Sequence, residues 1–351
     1  MLAMIKKEFR ELRRDRRTVA MLIVMPLMML VIFGYAAQFG VDRIDTTVVG
    51  PQADQVAGAL QDPFDVTSVR PADGEATGRQ LLRDGKTDVV IVADSEAKAL
   101  VDGSNLFMAQ TANAALGQAP VPVTVENLFN PELKTSYIMI PAIIGLILVF
   151  TGTMITSLGI VRERQAGTIE QLAVMPFRPS DVIAGKTLPY FVIALFNMTM
   201  ITLLGVWIFG VPFAGSVLTF ALGAVLFLLV VLGLGVLISS VSETPGQAIQ
   251  LTLMTMLPQI LLSGMIFPLE SMGDGVRWIG YLLPLTYFIM ISRGVMLRDA
   301  PFDSLVLPLG ILAVFAAIVF TAAVLRFRRD LAPSRGRAAA PEPAGVAGVA
   351  P

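Results

Sequence analysis

The stretch YIMIPAIIGLILVFTGTMITSLGI, residues 137–160, decides the fold class of this chain. It contains no charged residue, and as an α-helix it is long enough to cross the roughly 30 Å hydrocarbon core of a bilayer. The sequence therefore predicts a polytopic α-helical membrane protein with six transmembrane helices, because five other stretches have the same properties. These are Thr18–Phe39, Thr187–Phe209, Val217–Ile238, Ala248–Phe267 and Leu305–Leu325.

Two apolar segments need separate interpretations. The run from Trp278 to Ile291 is too short to span and contains Pro284, which predicts a re-entrant or interfacial outer hairpin near residues 268–298. The first span, residues 18–39, follows a basic start as a signal peptide would. Its full membrane length favours a retained helix.

Composition supports a membrane protein and argues against an enzyme. Of 351 residues, 55% are hydrophobic and 15% are charged, with a mean hydropathy of +0.72. Soluble domains carry about 25% charged residues. The chain has no Cys and no His, which removes the commonest nucleophile, general base and metal ligands. An intramembrane enzyme would need paired carboxylates, or a nucleophile together with a base, within the spans, and the predicted spans show neither combination.

Basic residues cluster on one side of the predicted topology. Residues 1–17 are predicted to form a basic amphipathic helix, whose apolar face would lie in the membrane interface as an anchor or as a partner contact. Further basic residues follow the second span and the sixth span. By the positive-inside rule both termini face the cytoplasm, and the Pro/Gly/Ala-rich tail at 331–351 is expected to be disordered there.

Residues 40–135 have the composition of a water-soluble domain. Short β-rich runs at Thr46–Gly50, Phe64–Val69 and Asp88–Ala93 enclose a helical segment at 78–84. Alternating strand and helix signals predict a small extracytoplasmic α/β domain between the first two spans.

The cytoplasmic loop RERQAGTIEQLAVMPFRPSDVIAGKT, residues 162–187, ends in the letters of a phosphate-binding loop. Such a loop needs a glycine where this chain has Ser180, and it follows a β-strand, so we do not expect nucleotide binding here. Thr168 is instead a helix N-cap and Pro176 ends the short apolar run that follows. The loop predicts a short helix near 163–180 that lies across the membrane surface between two spans.

This loop resembles the coupling-helix region of the membrane subunits of type-2 ATP-binding-cassette transporters, in their drug-export-like branch. That pattern is an arginine-glutamate cluster, Gly-Thr, a glutamate two residues on, and a closing proline. VDGSN at 101–105, SETPGQAIQL, LLSGMIFPLESM and LPLTYFIMISRGVML agree with the same family in order along the chain.

The resemblance implies a set of sites and partners. The ATPase-coupling residues would be Arg162, Glu163, Arg164, Gly167, Thr168, Glu170, Pro176 and Arg178. A second cytoplasmic contact would comprise Ser242, Glu243, Thr244 and Pro245, and an outer gate Pro268, Glu270, Pro284 and Arg293. Two copies of a cytoplasmic ATPase would bind ATP and Mg, and this chain would hold no cofactor. It would pair with a second copy of itself or a related permease in the bacterial plasma (inner) membrane, without a nucleic-acid partner.

The hypothesis is ATP-driven export of a hydrophobic or amphipathic molecule such as a drug, lipid or secondary metabolite. The predicted spans contain no ionisable residue in their interiors, which disfavours ion-coupled transport. Their polar residues either join neighbouring helices or contact cargo: Asn197, Thr199, Thr202, Gln250 and Gln259. The alternative is a non-transporting membrane scaffold or receptor of the same fold, which would not need the coupling pattern.

Overall fold

The computed structural model describes residues 43–94, 97–118, 123–167 and 179–331. They form an α/β domain and a helix bundle. The predicted amphipathic helix at 1–17, the first span at 18–39 and the tail from residue 332 lie outside the described residues.

The α/β domain contains a five-stranded sheet. Its elements are β1 (Ile44–Val49), α1 (Ala53–Ala59), β2 (Phe64–Arg70), α2 (Glu75–Arg83), β3 (Val89–Val92), β4 (Lys98–Asp102), α3 (Leu106–Leu116) and β5 (Thr124–Leu128). The strand order is β2-β1-β3-β4-β5. The first three strands are parallel, β4 runs antiparallel to β3, and β5 is parallel to β4.

Side-chain alternation explains why helices cover both faces of this sheet. On β3, Val89 and Ile91 point to the face that carries α1 and α3. Val90 and Val92 point to the other face, where they pack with Leu82 of α2. All four β3 residues are buried, as expected for a central strand covered on both sides.

The helix bundle follows the domain. Its helices are α4 (Thr135–Gln165), α5 (Pro179–Phe209), α6 (Val217–Val241), α7 (Pro245–Leu262), α8 (Asp274–Gly280), α9 (Pro284–Met296) and α10 (Phe302–Leu331). Four of them are long and apolar enough to cross a membrane, over Thr135–Gln165, Thr187–Phe209, Val217–Val241 and Phe302–Arg326.

The predicted fifth span differs in length from the prediction. Helix α7 begins at Pro245 and ends at Leu262, whereas the sequence placed the span at Ala248–Phe267. At 1.5 Å per residue its 18 residues extend about 27 Å, slightly less than the hydrocarbon core. Bends and a short 3₁₀ turn at Leu269–Ser271 then lead to α8 and α9.

Small residues bring the central helices close together. The ring of Phe288 on α9 stacks on Phe227 of α6 with centroids 4.5 Å apart. Gly145 of α4 faces this pair, and a Cβ at that position would lie 2.6 Å from both Leu285 and Phe288. A glycine therefore sets the distance between α4 and α9, as small residues commonly do between membrane helices.

The bundle has two distinguishable ends. At one end the α5–α6 connection meets α9, where the amides of Ala214 and Gly215 donate to the carbonyls of Met296 and Val295. The α/β domain attaches there, so we name it the domain end. At the other end, named the far end, lie the C-termini of α4 and α6 and the start of α7.

Candidate functional site

The far end joins the predicted coupling loop to the predicted second contact. Arg164, in the last turn of α4, donates from Nη1 to the carbonyls of Ser239 at 2.9 Å and Ser242 at 3.3 Å. Gln165 Nε2 donates to the Glu243 carbonyl at 3.2 Å. These carbonyls belong to the C-terminal turn of α6 and the loop after it, where a cation also complements the helix dipole. The C-terminus of α4 is thus tied to the α6–α7 loop.

The α6–α7 loop is itself held by a helix cap. Thr244 is the N-cap of α7, and its Oγ1 accepts from the Gln247 amide at 3.3 Å. The Gln247 side chain accepts in return from the Glu243 amide at 2.9 Å. Pro245 occupies the first turn, where its missing N–H costs nothing. The side chains of Thr244 and Gln247 thus cap the start of α7 reciprocally, and this cap fixes the conformation of the α6–α7 loop to which Arg164 binds.

The structure places only part of the predicted coupling segment. Arg162, Glu163 and Arg164 continue α4, which ends at Gln165. Gly167 follows with a φ of 72°, the left-handed conformation that commonly terminates a helix. Thr168, Glu170, Pro176 and Arg178 lie outside the described residues, so the short helix between 163 and 180 stays a prediction.

The letters that mimic a phosphate loop lie inside a helix. Gly185, Lys186 and Thr187 belong to α5, which runs without interruption from Pro179 to Phe209. Backbone amides in the interior of a helix already bond to carbonyls one turn earlier, so they cannot turn toward a phosphate.

Of the predicted outer-gate residues, Arg293 makes the most informative contacts. Its guanidinium on α9 donates to the carbonyls of Ile138 at 3.3 Å, Gly264 at 3.2 Å and Met265 at 3.3 Å. One side chain therefore joins α9, the start of α4 and the bends after α7. Pro284 opens α9 in its first turn, Pro268 precedes the 3₁₀ turn, and Glu270 lies within that turn.

The domain is attached to the bundle by a junction that the sequence reading missed. Asp102 and Arg298 form a largely buried ion pair, with Oδ2 and Nη1 3.6 Å apart and side chains 5% and 17% exposed. Arg83 of α2 donates from Nε to the Asp299 carbonyl at 2.7 Å, and its Nη2 pairs with the Asp299 carboxylate. Gly85, at a φ of 69°, leaves space for the Arg298 guanidinium.

The junction gives the VDGSN motif a structural explanation. Asp102 Oδ1 accepts from the Ser104 amide at 2.8 Å, and its other oxygen faces Arg298. Gly103 lies so close to the next strand that a Cβ would come within 2.7 Å of the Leu128 carbonyl. The buried Asn130 then bonds both the amide and the carbonyl of Lys134, immediately before α4 begins. The motif thus shapes the passage from domain to bundle.

A charge network lies on the α2 side of the domain. Glu75 and Glu126 each contact both Lys98 and Arg79 at 2.7–2.9 Å. Hydrogen bonds from Lys98, then from Arg79, lower the pKa of both carboxyls below the ordinary value. Hydrogen bonds to Glu126, then to Glu75, raise the pKa of Lys98 and of Arg79. The network therefore links α2 to β4 and β5 by ion pairs.

Two of the polar residues named in the spans hydrogen-bond within their own helix. Thr199 donates to the Leu195 carbonyl at 2.9 Å, and Gln259 donates to the Thr255 carbonyl at 3.4 Å. Within the described residues these two donors bond to their own helix, and the choice between helix joining and cargo contact stays a prediction. The side-chain oxygen atoms of Gln250, Gln259 and Thr202 are buried and have no hydrogen-bond partner among the residues that the structure describes.

Comparison with known proteins gives consistent matches along the chain. A family model for ABC-2 family transporter proteins matches residues 16–325. The chain is similar to the probable multidrug ABC transporter permease YbhR of Escherichia coli strain K12. They share 29% identity over 360 residues, which cover 93% of this chain and 98% of YbhR.

Two further Escherichia coli strain K12 proteins are similar. The probable multidrug ABC transporter permease YbhS is 27% identical over 333 residues, covering 84% of this chain and 88% of YbhS. The inner membrane transport permease YhhJ is 31% identical over 212 residues, covering 58% of this chain and 54% of YhhJ.

Proposed function

Since this chain belongs to the ABC-2 family of transporter proteins, we propose that it forms the translocation pathway of an ATP-driven exporter for hydrophobic or amphipathic molecules. Members of this family are transmembrane permease subunits rather than enzymes, and ATPase activity belongs to a partner protein. The names of these relatives, two multidrug permeases and one inner membrane permease, support the substrate class and a bacterial inner-membrane location.

The proposed topology has six transmembrane helices with the far end in the cytoplasm. Residues 18–39 would form the first, and α4, α5, α6, α7 and α10 the others. The basic residues near the far end favour this orientation by the positive-inside rule. The α/β domain would then be extracytoplasmic, and both termini would be cytoplasmic.

The observation that carries the proposal is the bond between Arg164 and the α6–α7 loop. Residues 166–178 connect α4 to α5, and Arg164 connects α4 to α6 and α7. A partner ATPase seated on this surface would therefore move four helices together rather than a single loop. Two ATPases would serve a pair of permeases, made of two copies of this chain or of this chain and a related one.

The first test is co-purification of the tagged chain with its ATPase partner from native membranes. Glu170→Lys reverses a charge at the centre of the proposed coupling helix, and we expect it to abolish stimulated ATPase activity while membrane insertion persists. Glu132→Lys is the matched control, because Glu132 is 72% exposed and lies at the domain end. Full activity of Glu170→Lys would refute the coupling assignment. A chain that purifies without an ATPase would favour the scaffold or receptor reading.

The second test addresses orientation. The native chain has no cysteine, so single cysteines at Asp65 and Arg178 can be labelled selectively. Asp65 is exposed on β2 of the domain, and position 178 immediately precedes α5. We expect an impermeant maleimide to reach them from opposite sides of the membrane. Labelling of both from one side would contradict the proposed topology.

A further inference from the structure

The α/β domain contains an open cleft of about 640 Å³ on the sheet face that carries α1 and α3. We name it the domain cleft. Val56 of α1 and Leu60 just after it form one wall, Thr111 and Ala115 of α3 form the other, and Ile91 of β3 lies at its floor. Asp102 and Arg83, which join the domain to the bundle, are not among its described lining residues.

The cleft exists because two helices cover a sheet that is too wide for them. Helix α1 packs on β1 and β2, and α3 packs on β4 and β5. The central strand β3 is left between them, with Ile91 beneath the gap. The helices face the gap with small residues, Ala59 on α1 and Ala114 and Ala115 on α3, whose methyl groups cannot fill it.

The described lining residues give the cleft a distinct chemistry. Most are aliphatic or aromatic, and the uncharged polar ones are Gln61, Thr111 and Gln118. Among them is one carboxylate, the exposed Asp62 at the rim, and none is a lysine or arginine. An anionic ligand would lose its hydration without gaining a cationic partner, which is costly in an apolar site. A neutral apolar molecule meets no such cost, and a cationic one can keep its charge beside the exposed Asp62 carboxylate at the rim.

We propose that the domain cleft is a binding site for a small apolar molecule that carries no negative charge. Its volume lies within the roughly 300–1,000 Å³ that small-molecule sites occupy, and such sites combine an apolar lining with a few polar groups. The role is separate from ATPase coupling, since it needs only the folded domain. It would let the domain hold an apolar molecule outside the bundle.

The test uses two dyes that share one ring system. N-phenyl-1-naphthylamine is neutral, and 8-anilinonaphthalene-1-sulfonate adds one sulfonate to it. The full-length chain in nanodiscs carries one cysteine in place of Thr111, which is half-buried in the cleft wall. We expect saturating neutral dye to slow N-ethylmaleimide labelling of Thr111→Cys about tenfold, as nine-tenths occupancy requires. The sulfonated dye should leave the rate unchanged.

Two controls separate cleft binding from dye dissolved in lipid. Gln110→Cys places a thiol on the exposed side of the same helix, and its labelling rate should not respond to either dye. Ala115→Phe in the Thr111→Cys background fills the cleft and should remove the protection, whereas Gln110→Phe adds the same ring outside it and should not.

Several results would overturn the proposal. Equal slowing at positions 110 and 111 would indicate a bulk membrane effect. Protection by the sulfonated dye would contradict the charge argument. A Thr111→Cys thiol that does not react even without dye would mean that another part of the assembly fills the cleft. All of these can be scored in membranes without ATPase activity, so they do not depend on the exporter proposal.

Discussion

The ion pair between Asp102 and Arg298 allows a quantitative test of how the domain is fixed to the bundle. Its atoms are 3.6 Å apart, and its side chains are 5% and 17% exposed. The domain offers a matched pair in Arg70 and Asp73, which are also 3.6 Å apart but 44% and 35% exposed. The two pairs differ in burial rather than in separation, so a comparison isolates the effect of water.

The expected energies follow from the surroundings. Two unit charges at this distance attract by about 1 kcal/mol in water and by about 4–5 kcal/mol at an effective dielectric constant near 20. Removal of one partner from a buried pair also leaves a desolvated charge, which costs about 3–5 kcal/mol in total. We therefore expect a coupling energy of about 1–3 kcal/mol for the buried pair and less than about 1 kcal/mol for the exposed one.

Hydrogen exchange read by mass spectrometry can measure these energies in the full-length protein. Double-mutant cycles would use Asp102→Asn with Arg298→Gln, and Asp73→Asn with Arg70→Gln. Local opening free energies come from amide exchange in peptides around each pair. Each single variant of the buried pair should speed exchange by about 100-fold to 4,000-fold, since about 3–5 kcal/mol is lost and 1.4 kcal/mol corresponds to a factor of ten.

The reasoning fails if the two cycles give the same coupling energy. It also fails if Asp102→Asn and Arg298→Gln have additive effects, because then the charges do not interact. Loss of exchange protection throughout the bundle would be a different result. It would mean that the variants misfold rather than lose a single ion pair.

Three further predictions concern other parts of the molecule. Glu75→Gln with Glu126→Gln should lower the thermal midpoint at pH 7. The pKa of both carboxyls is lowered in the folded protein, so their ionic contribution to stability is lost as the pH falls below about 4.5 through those lowered values. The thermal midpoints of the variant and the parent should therefore converge at low pH. A difference in midpoint that persists at pH 2 would contradict the ionic character of the network. Gly145→Val should lower the free energy of unfolding by about 1–3 kcal/mol through overpacking, and so lower the thermal midpoint in detergent. Gly310→Val is the control, because an added Cβ there meets nothing within 4 Å, and it should leave that midpoint unchanged. Arg293→Lys keeps the charge but cannot reach three carbonyls at once, so amide exchange around residues 264–266 should accelerate; unchanged exchange there would refute its clamping role.

Elements with strong local patterns could be predicted from the sequence. Strands β1, β2 and β3 overlap the β-rich runs at 46–50, 64–69 and 88–93, because hydrophobic alternation and β-branched residues identify half-buried strands. Helix α5 ends at Phe209, the residue at which the predicted span Thr187–Phe209 ends. The apolar stretches predicted four of the long helices, because the thickness of a membrane sets the length of the apolar stretch that crosses it.

The rest depends on contacts between residues far apart in the chain. Strands β4 and β5 were missed because KALVD and TVENL are short and mixed in polarity, so that pairing with neighbours decides their conformation. Arg83 and Asp299 are separated by 216 positions, and nothing in a single sequence reveals which helix faces meet. The domain cleft was invisible for the same reason, because it arises from the spacing of α1 and α3 across the sheet.

Helix α4 connects the two ends of the proposed exporter. Its 31 residues form one continuous helix about 46 Å long. At the domain end Arg293 holds the Ile138 carbonyl, and at the far end Arg164 holds the α6–α7 loop. In the proposed exporter, a displacement imposed at the far end would therefore be transmitted along α4 toward the domain end, where Pro141 interrupts the hydrogen bonding of the helix. Because Asp102 and Arg298 fix the domain to the segment after α9, the domain would move together with that end of the bundle.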